Sequence, residues 1–200
     1  MAKQKGIIKL DGTIGGITFY KTTEDGYLAR EKGGVSADKI ANDPAFQRTR
    51  ENGEEFGRAG KAGKLLRNSI RAMLQNASDS RMVGRLTQKM VEVIQEDLTN
   101  PRGQRNVIDG EAELLEGFEF NINGKLGTTL YAPFTGTIDR VAGTLTANIP
   151  AFVPINMLAA PGGATHFKIV SAGAEVDFEN ETFVMDAQAT AVLPWDATAT

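Results

Sequence analysis

A chain of 200 residues, 41% hydrophobic and 24% charged, has the composition of a globular protein able to bury a core, as one ordinary domain or two small ones. It has no cysteine and a single histidine, His166, which excludes disulfides, thiolate metal sites, thiol nucleophiles and multi-histidine metal centres. The net charge of −3 hides a polarised chain: residues 1–107 hold 19 Lys and Arg against 13 Asp and Glu, while residues 108–200 hold 3 against 12.

Residues 1–41 read as a β-hairpin arm. Short apolar or β-branched runs, Ile7–Leu10, Ile17–Tyr20 and Tyr27–Arg30, are punctuated by Asp11-Gly12, Gly15-Gly16 and Asp25-Gly26. Such glycine pairs supply the positive φ that tight turns need. An arm this small cannot bury enough surface to stand alone. Residues 42–100 read as an antiparallel helical hairpin. Asn42-Asp43-Pro44 is a helix start, and Phe56, Ala59, Gly63, Leu66, Ile70 and Met73 then recur at spacings of three and four. Arg58, Lys61, Lys64, Arg67 and Arg71 fall on the opposite, basic face. Four glycines (Gly53, Gly57, Gly60, Gly63) sit inside this helix. Each costs about 1 kcal/mol against alanine, so either a closely packed neighbour compensates or the helix breaks near Gly53. A second helix, capped by Ser78 or Asp79, carries Val83, Leu86, Met90, Val93 and Ile94 and should stop near Thr99, ahead of Pro101.

Residues 101–113, polar and placed across the change of charge, read as a linker. Residues 114–200 read as an acidic antiparallel β domain, a small sandwich or barrel. Its strands are expected at Phe118–Ile122, Thr137–Arg140, Thr144–Ile149, Phe167–Val170, Glu175–Phe178, Phe183–Met185 and Ala189–Leu193. Pro150–Pro161 is an irregular crossing with Phe152, Val153, Ile155, Met157 and Leu158 expected to be buried. The fold class is therefore α+β.

Several chemistries can be weighed. The run Gly57–Leu65 departs from a phosphate-binding P-loop: Arg58 stands where the first glycine belongs, Leu65 replaces the Ser or Thr, and no strand precedes it. His166 beside Gly162-Gly163 has no serine in a nucleophile-elbow setting. Asp177, Glu179, Glu181 and Asp186 are acidic but lack an EF-hand pattern and read as a solvated hairpin tip around Asn180. Asn76-Ala77-Ser78 and Asn180-Glu181-Thr182 match the glycosylation sequon, which means little without a secretory signal. No catalytic, cofactor or metal residue is assigned, and the chain is read as non-enzymatic. No stretch approaches the ~18 apolar residues of a membrane span. The N-terminus lacks the apolar region of a signal peptide, so synthesis in the cytoplasm is expected, with a virion or extracellular assembly open as the final location.

The segments Gly12–Lys21, Leu28–Val35 and Asn42–Asn52, with the later Pro161–His166, resemble an uncharacterised family of bacterial proteins having this order of segments. The resemblance implies one complete protein over residues 1–200 and a phage or mobile-element connection, and brings no active-site residue. Two functions are expected. The first is a self-assembling structural subunit, such as a capsid, tail or filament component, in which the basic residues Arg58, Lys61, Lys64, Arg67 and Arg71 meet an acidic counterpart (Glu175, Asp177, Glu179 and Glu181) of another copy. The alternative is sequence-independent nucleic-acid binding through the basic helix 56–74.

Overall fold

The computed structural model describes residues 1–200, and the chain divides into two units, Met1–Arg50 and Glu51–Thr200. In the first, β1 (Ala2–Lys3), β2 (Gly12–Ile14), β3 (Ile17–Thr22) and β4 (Gly26–Glu31) make one antiparallel sheet in the order β1-β4-β3-β2. Ile14 pairs with Ile17 across the Gly15-Gly16 turn, where Gly15 takes φ 59°, a conformation glycine adopts without steric cost. Ile7–Leu10 is not a strand. The Gln4 side chain donates to the carbonyls of Leu10 and Leu28 and accepts from the Leu10 N–H, which turns the segment back. Ile7 and Ile8 are left in solvent, and Leu28 is the unit's single buried residue. The expected arm also contains a short helix, α1 (Ala37–Asn42), whose N-cap Ser36 accepts from the Lys39 N–H. Asp43 next accepts from the Ala45 N–H, and a single turn begun by Pro44 leads into α2 (Gln47–Ser69).

From residue 51 onward, α2 runs unbroken through all four glycines. Only Gly63 has a close neighbour: an added Cβ would lie 3.6 Å from Leu86 and 3.8 Å from Met90, whereas Gly53, Gly57 and Gly60 face open space. A kink at Ile70 leads to the short α3 (Arg71–Leu74), and α4 (Met82–Gln95) packs back on α2. The core joins Ala59, Ala62 and Leu74 to Met82, Leu86, Met90, Val93, Ile94 and Val107. The predicted stripes hold at Ala59, Gly63, Leu86, Met90, Val93 and Ile94, but Phe56 and Val83 are exposed and Met82 is buried instead. Helix α4 starts three residues after Asp79, whose carboxylate accepts from the Arg81 N–H. It ends before Thr99 because the Glu96 N–H turns to the carbonyls of Val93 and Ile94.

Residues 101–113 are packed against the helices and do not form a free linker. Glu55, buried on α2, accepts from the Gly103 N–H and takes a two-pronged bond from Arg105, each at 2.8 Å. Buried Asp97 accepts from the amides of Thr99, Asn100 and Asn106 and from the Asn100 side chain. A Cβ at Gly110 would collide with the Val93 carbonyl. Phe118–Ile122 is also not a strand, since Asp79 takes its hydrogen bonds: the Asp79 carboxylate accepts from the Ile122 N–H and the Asp79 N–H donates to the Phe120 carbonyl. Phe118 and Phe120 meet edge to face at 5.0 Å, with the Arg85 guanidinium 5.2 Å from the Phe118 ring centre.

After α5 (Leu126–Thr129) the chain forms antiparallel two-stranded ribbons. β5 (Thr135–Asp139) pairs with β6 (Thr144–Asn148), β7 (His166–Phe167) with β10 (Leu193–Pro194), and β8 (Val170–Asp177) with β9 (Thr182–Ala189). The α+β class and the antiparallel pairing stand, but no hydrogen-bonded sheet here exceeds two strands and no barrel closes. The expected crossing contains α6 (Pro154–Met157), with Pro154 buried but Ile155 and Met157 exposed. From Pro133 to Thr200, Pro154 is the sole buried residue. Alternation specifies which side of a strand is apolar; it does not ensure that the chain supplies a cover for that side.

Candidate polyanion or subunit-contact face

Helix α2 presents Arg58, Lys61 and Lys64 within two turns, and the tip of the β8–β9 hairpin comes up beside them. Together they line a groove of about 540 Å³, whose walls include Leu65, Asn68 and Ile108 on one side and Phe178, Glu181 and Phe183 on the other. Local chemistry forms the tip. The Asp177 carboxylate accepts from the Asn180 side chain at 2.7 Å and from the amides of Asn180 and Glu179 at 2.9 Å. Those bonds, the Asn180 side chain foremost, hold the Asp177 carboxyl below its ordinary pKa. Glu181 then takes φ 54°, the one non-glycine residue of the chain in the left-handed region, at a cost of roughly 1–2 kcal/mol. Phe178 packs against the helical core, which fixes the tip beside α2.

The five basic candidates separate into different roles. Arg58 is half-buried and bound: its guanidinium donates to the carbonyls of Gly103 and Arg105 and lies 3.7 Å from Glu54. Lys61 and Lys64 are exposed on the groove and have no ion-pair partner. Arg67 donates back to the Gly63 carbonyl within its own helix, and Arg71 stands exposed on α3 beyond the kink. Neither reaches the groove. Of the acidic candidates, Glu181 lines it, Asp177 builds the turn, Glu179 contributes its amide to that turn, and Glu175 is exposed on β8. Basic and acidic candidates therefore already adjoin within one chain, an arrangement that segment charges do not reveal. The apolar wall, Ile108, Phe178 and Phe183, escaped the sequence reading altogether. The residues that flank Asn180 as Phe178 and Phe183 were the available signal, though nothing local says which surface they meet.

Other carboxylates are structural. Hydrogen bonds to Asp79, first from the Ile122 amide, and bonds to Glu55, first from Arg105, hold both carboxyls below their ordinary pKa values against the opposing effect of burial. His166 bonds the Thr165 hydroxyl through Nδ1 at 2.9 Å and is otherwise exposed. No three Asp, Glu or His side chains converge as a metal-ion site, and no helix is long and apolar enough to cross a membrane. No protein-family model, curated protein or solved structure matches the chain.

Proposed function

We propose that this chain is a non-enzymatic structural subunit that assembles with copies of itself. The observation that carries this reading is exposed surface. A compact protein of 21.5 kDa exposes about 9,200 Å², and two separate compact bodies of these unit sizes about 10,800 Å², yet the chain exposes 14169 Å². Much of the surplus is apolar: Ile7, Ile138, Val141, Val184 and Val192 are each at least two-thirds exposed. Isolated two-stranded ribbons are marginal in water, so neighbouring copies are the natural source of the missing burial. Basic-to-acidic contacts between copies, through Lys61 and Lys64 on one side and Glu175 or Glu179 on the other, would set register and association rate. The motif resemblance favours a capsid, tail or filament component. Native mass spectrometry and negative-stain microscopy at low and moderate salt test the reading. Defined oligomers or particles are expected, and a strict monomer at high concentration in both would overturn it.

A second reading is sequence-independent nucleic-acid binding. It is favoured by two unpaired lysines beside Phe183, a combination of phosphate contact and stacking surface. Titration of labelled single-stranded DNA and RNA at several salt concentrations tests it. Binding that weakens steeply with salt is expected, and its absence even at low salt rejects this reading.

A further inference from the structure

The β8–β9 ribbon has two chemically opposite faces. Directly paired residues of an antiparallel ribbon share a face, and alternate residues along each strand point to opposite sides. The pairs Val170–Ala189, Ala172–Ala187, Ala174–Met185 and Val176–Phe183 therefore stand on one side, and every one of these eight residues is apolar. The other side holds Ser171–Gln188, Gly173–Asp186, Glu175–Val184 and Asp177–Thr182 and is mostly polar. None of the eight apolar residues is buried, and Val170, Ala174, Phe183, Ala187 and Ala189 are exposed.

The chain's other amphipathic ribbon does not cover this face. In β5–β6 the pair Ile138–Leu145 makes the apolar side, but Leu145 lies over Gly173, which belongs to the polar side of β8–β9. We propose that the apolar face of β8–β9 is the centre of a two-fold contact with the same face of a second copy. This rests on the self-assembly reading above and names its surface. The face carries no charge, so bringing it against itself opposes no like charges. The ribbon's own charges are acidic, Glu175, Asp177 and Asp186 on the far side and Glu179 and Glu181 at the tip, while Arg58, Lys61 and Lys64 adjoin the face only at its Phe183 end, across the groove, and leave the rest of it to an uncharged cover.

Area supports a second copy and sets the scale. Eight residues at about 3.4 Å each, on strands about 4.8 Å apart, make a face of roughly 300 Å². A stable contact buries about 800 Å² per partner, so the face is the centre of a contact that spreads onto adjoining exposed residues. The chain's surplus of about 3,400 Å² over compact bodies is enough for this contact and further ones, as an extended assembly requires.

The test exploits the absence of native cysteine. Ala174→Cys and Ala187→Cys place a thiol on the proposed contact, and Gln188→Cys places one on the opposite side. Maleimide labelling is followed in the full chain as its concentration rises, with mass read by light scattering. Labelling at 174 and 187 should slow roughly tenfold or more as the mass rises, because opening an apolar contact precedes reaction, while 188 stays reactive. Ala174→Glu with Ala187→Glu should weaken association at least about tenfold, since carboxylates would enter the contact unpaired. Association of the unaltered chain should persist near 1 M NaCl, where the screening length is about 3 Å. Undiminished labelling at 174 and 187 in an assembled sample overturns the proposal, as does loss of assembly in high salt or in Lys61→Glu with Lys64→Glu. Those outcomes leave the self-assembly reading intact with an electrostatic contact. A monomer at every concentration and salt overturns both.

Discussion

Replacing Glu55 by alanine should cost the chain a large part of its stability. Glu55 is 3% exposed, and its carboxylate holds three 2.8 Å bonds, from the Gly103 amide and from Nε and Nη2 of Arg105. Truncation leaves the Gly103 N–H without its acceptor and the largely covered Arg105 guanidinium with only the Gln95 carbonyl as a bonded partner. Breaking a buried pair from one side costs about 3–5 kcal/mol. The partial exposure of Arg105 argues for the lower end, about 3 kcal/mol, or a fall in Tm of about 6–12 °C for a chain of this size. Glu55→Gln keeps an acceptor of the same shape and should lose about 1–2 kcal/mol. Glu55→Met with Arg105→Met should be less damaging than Glu55→Ala, because no uncompensated charge remains. Urea unfolding followed by circular dichroism measures all three. The pH dependence has a definite sign: Glu55 is held below its ordinary pKa, with the Arg105 bond the main cause, so its contribution is present above about pH 4.5 and fades as acid protonates the folded form. A Glu55→Ala midpoint within about 1 kcal/mol of the unaltered chain would refute the view that residues 101–113 are clamped to α2.

Three further outcomes follow from the same geometry. Asp97 is buried, which opposes ionisation, yet the bonds from Asn100, Asn106 and Thr99 outweigh burial and hold it at about 2; stability should fall as pH drops from about 4 to about 2, and Asp97→Asn, less stable at neutral pH, should flatten that acid limb in a thermal-melt series. Gly57 faces open space within α2, so Gly57→Ala should add about 0.5–1 kcal/mol in urea unfolding, and a destabilised variant would mean that a neighbouring copy packs on that face. Glu181→Gly relieves the left-handed conformation at φ 54° and should stabilise the β8–β9 hairpin by about 1 kcal/mol, seen as slower amide exchange along β8 and β9.

What was legible in the sequence was local. Asp43-Pro44, Gly15-Gly16 and Asp25-Gly26 act through bonds within a few residues, and each forms a start or turn as read. The helical stripes held because 3.6-residue periodicity places Leu86, Met90, Val93 and Ile94 on one side whatever they meet. Three departures trace to polar side chains whose partners spacing does not reveal, while the missing sandwich reflects ribbons left without a cover. Gln4, tied to Leu28 across 24 residues, turned Ile7–Leu10 back through its two bonds to Leu10, Asp79 captured Ile122 across 43, and Glu55 fixed Gly103 and Arg105 across 48 and 50. Gln4 and Glu55 carry no local signal of such a partner, and Asp79 was legible only as a cap for the helix that follows it. At the candidate face the cations were identified from helical spacing, but their division into bound Arg58 and Arg67 and free Lys61 and Lys64 depends on carbonyls that spacing cannot locate.

The polarised charge of the chain suggests assembly driven by attraction between basic and acidic halves, and magnitudes argue otherwise. Exposed ion pairs are worth about 0–1 kcal/mol each, and Glu181 already stands across the groove from Arg58, Lys61 and Lys64 in the same chain. A neighbour's carboxylates would have to compete with it for two free lysines. The apolar face of β8–β9, at roughly 300 Å² per copy and 25 cal/mol per Å², is worth about 15 kcal/mol over the two copies before the costs of association. Charge then selects orientation and speeds encounter, while apolar burial determines whether the contact lasts. The two terms separate in one salt series: added salt should slow association of the unaltered chain while leaving its dissociation rate nearly constant. A dissociation rate that climbs in step with ionic strength would return the principal role to the charges.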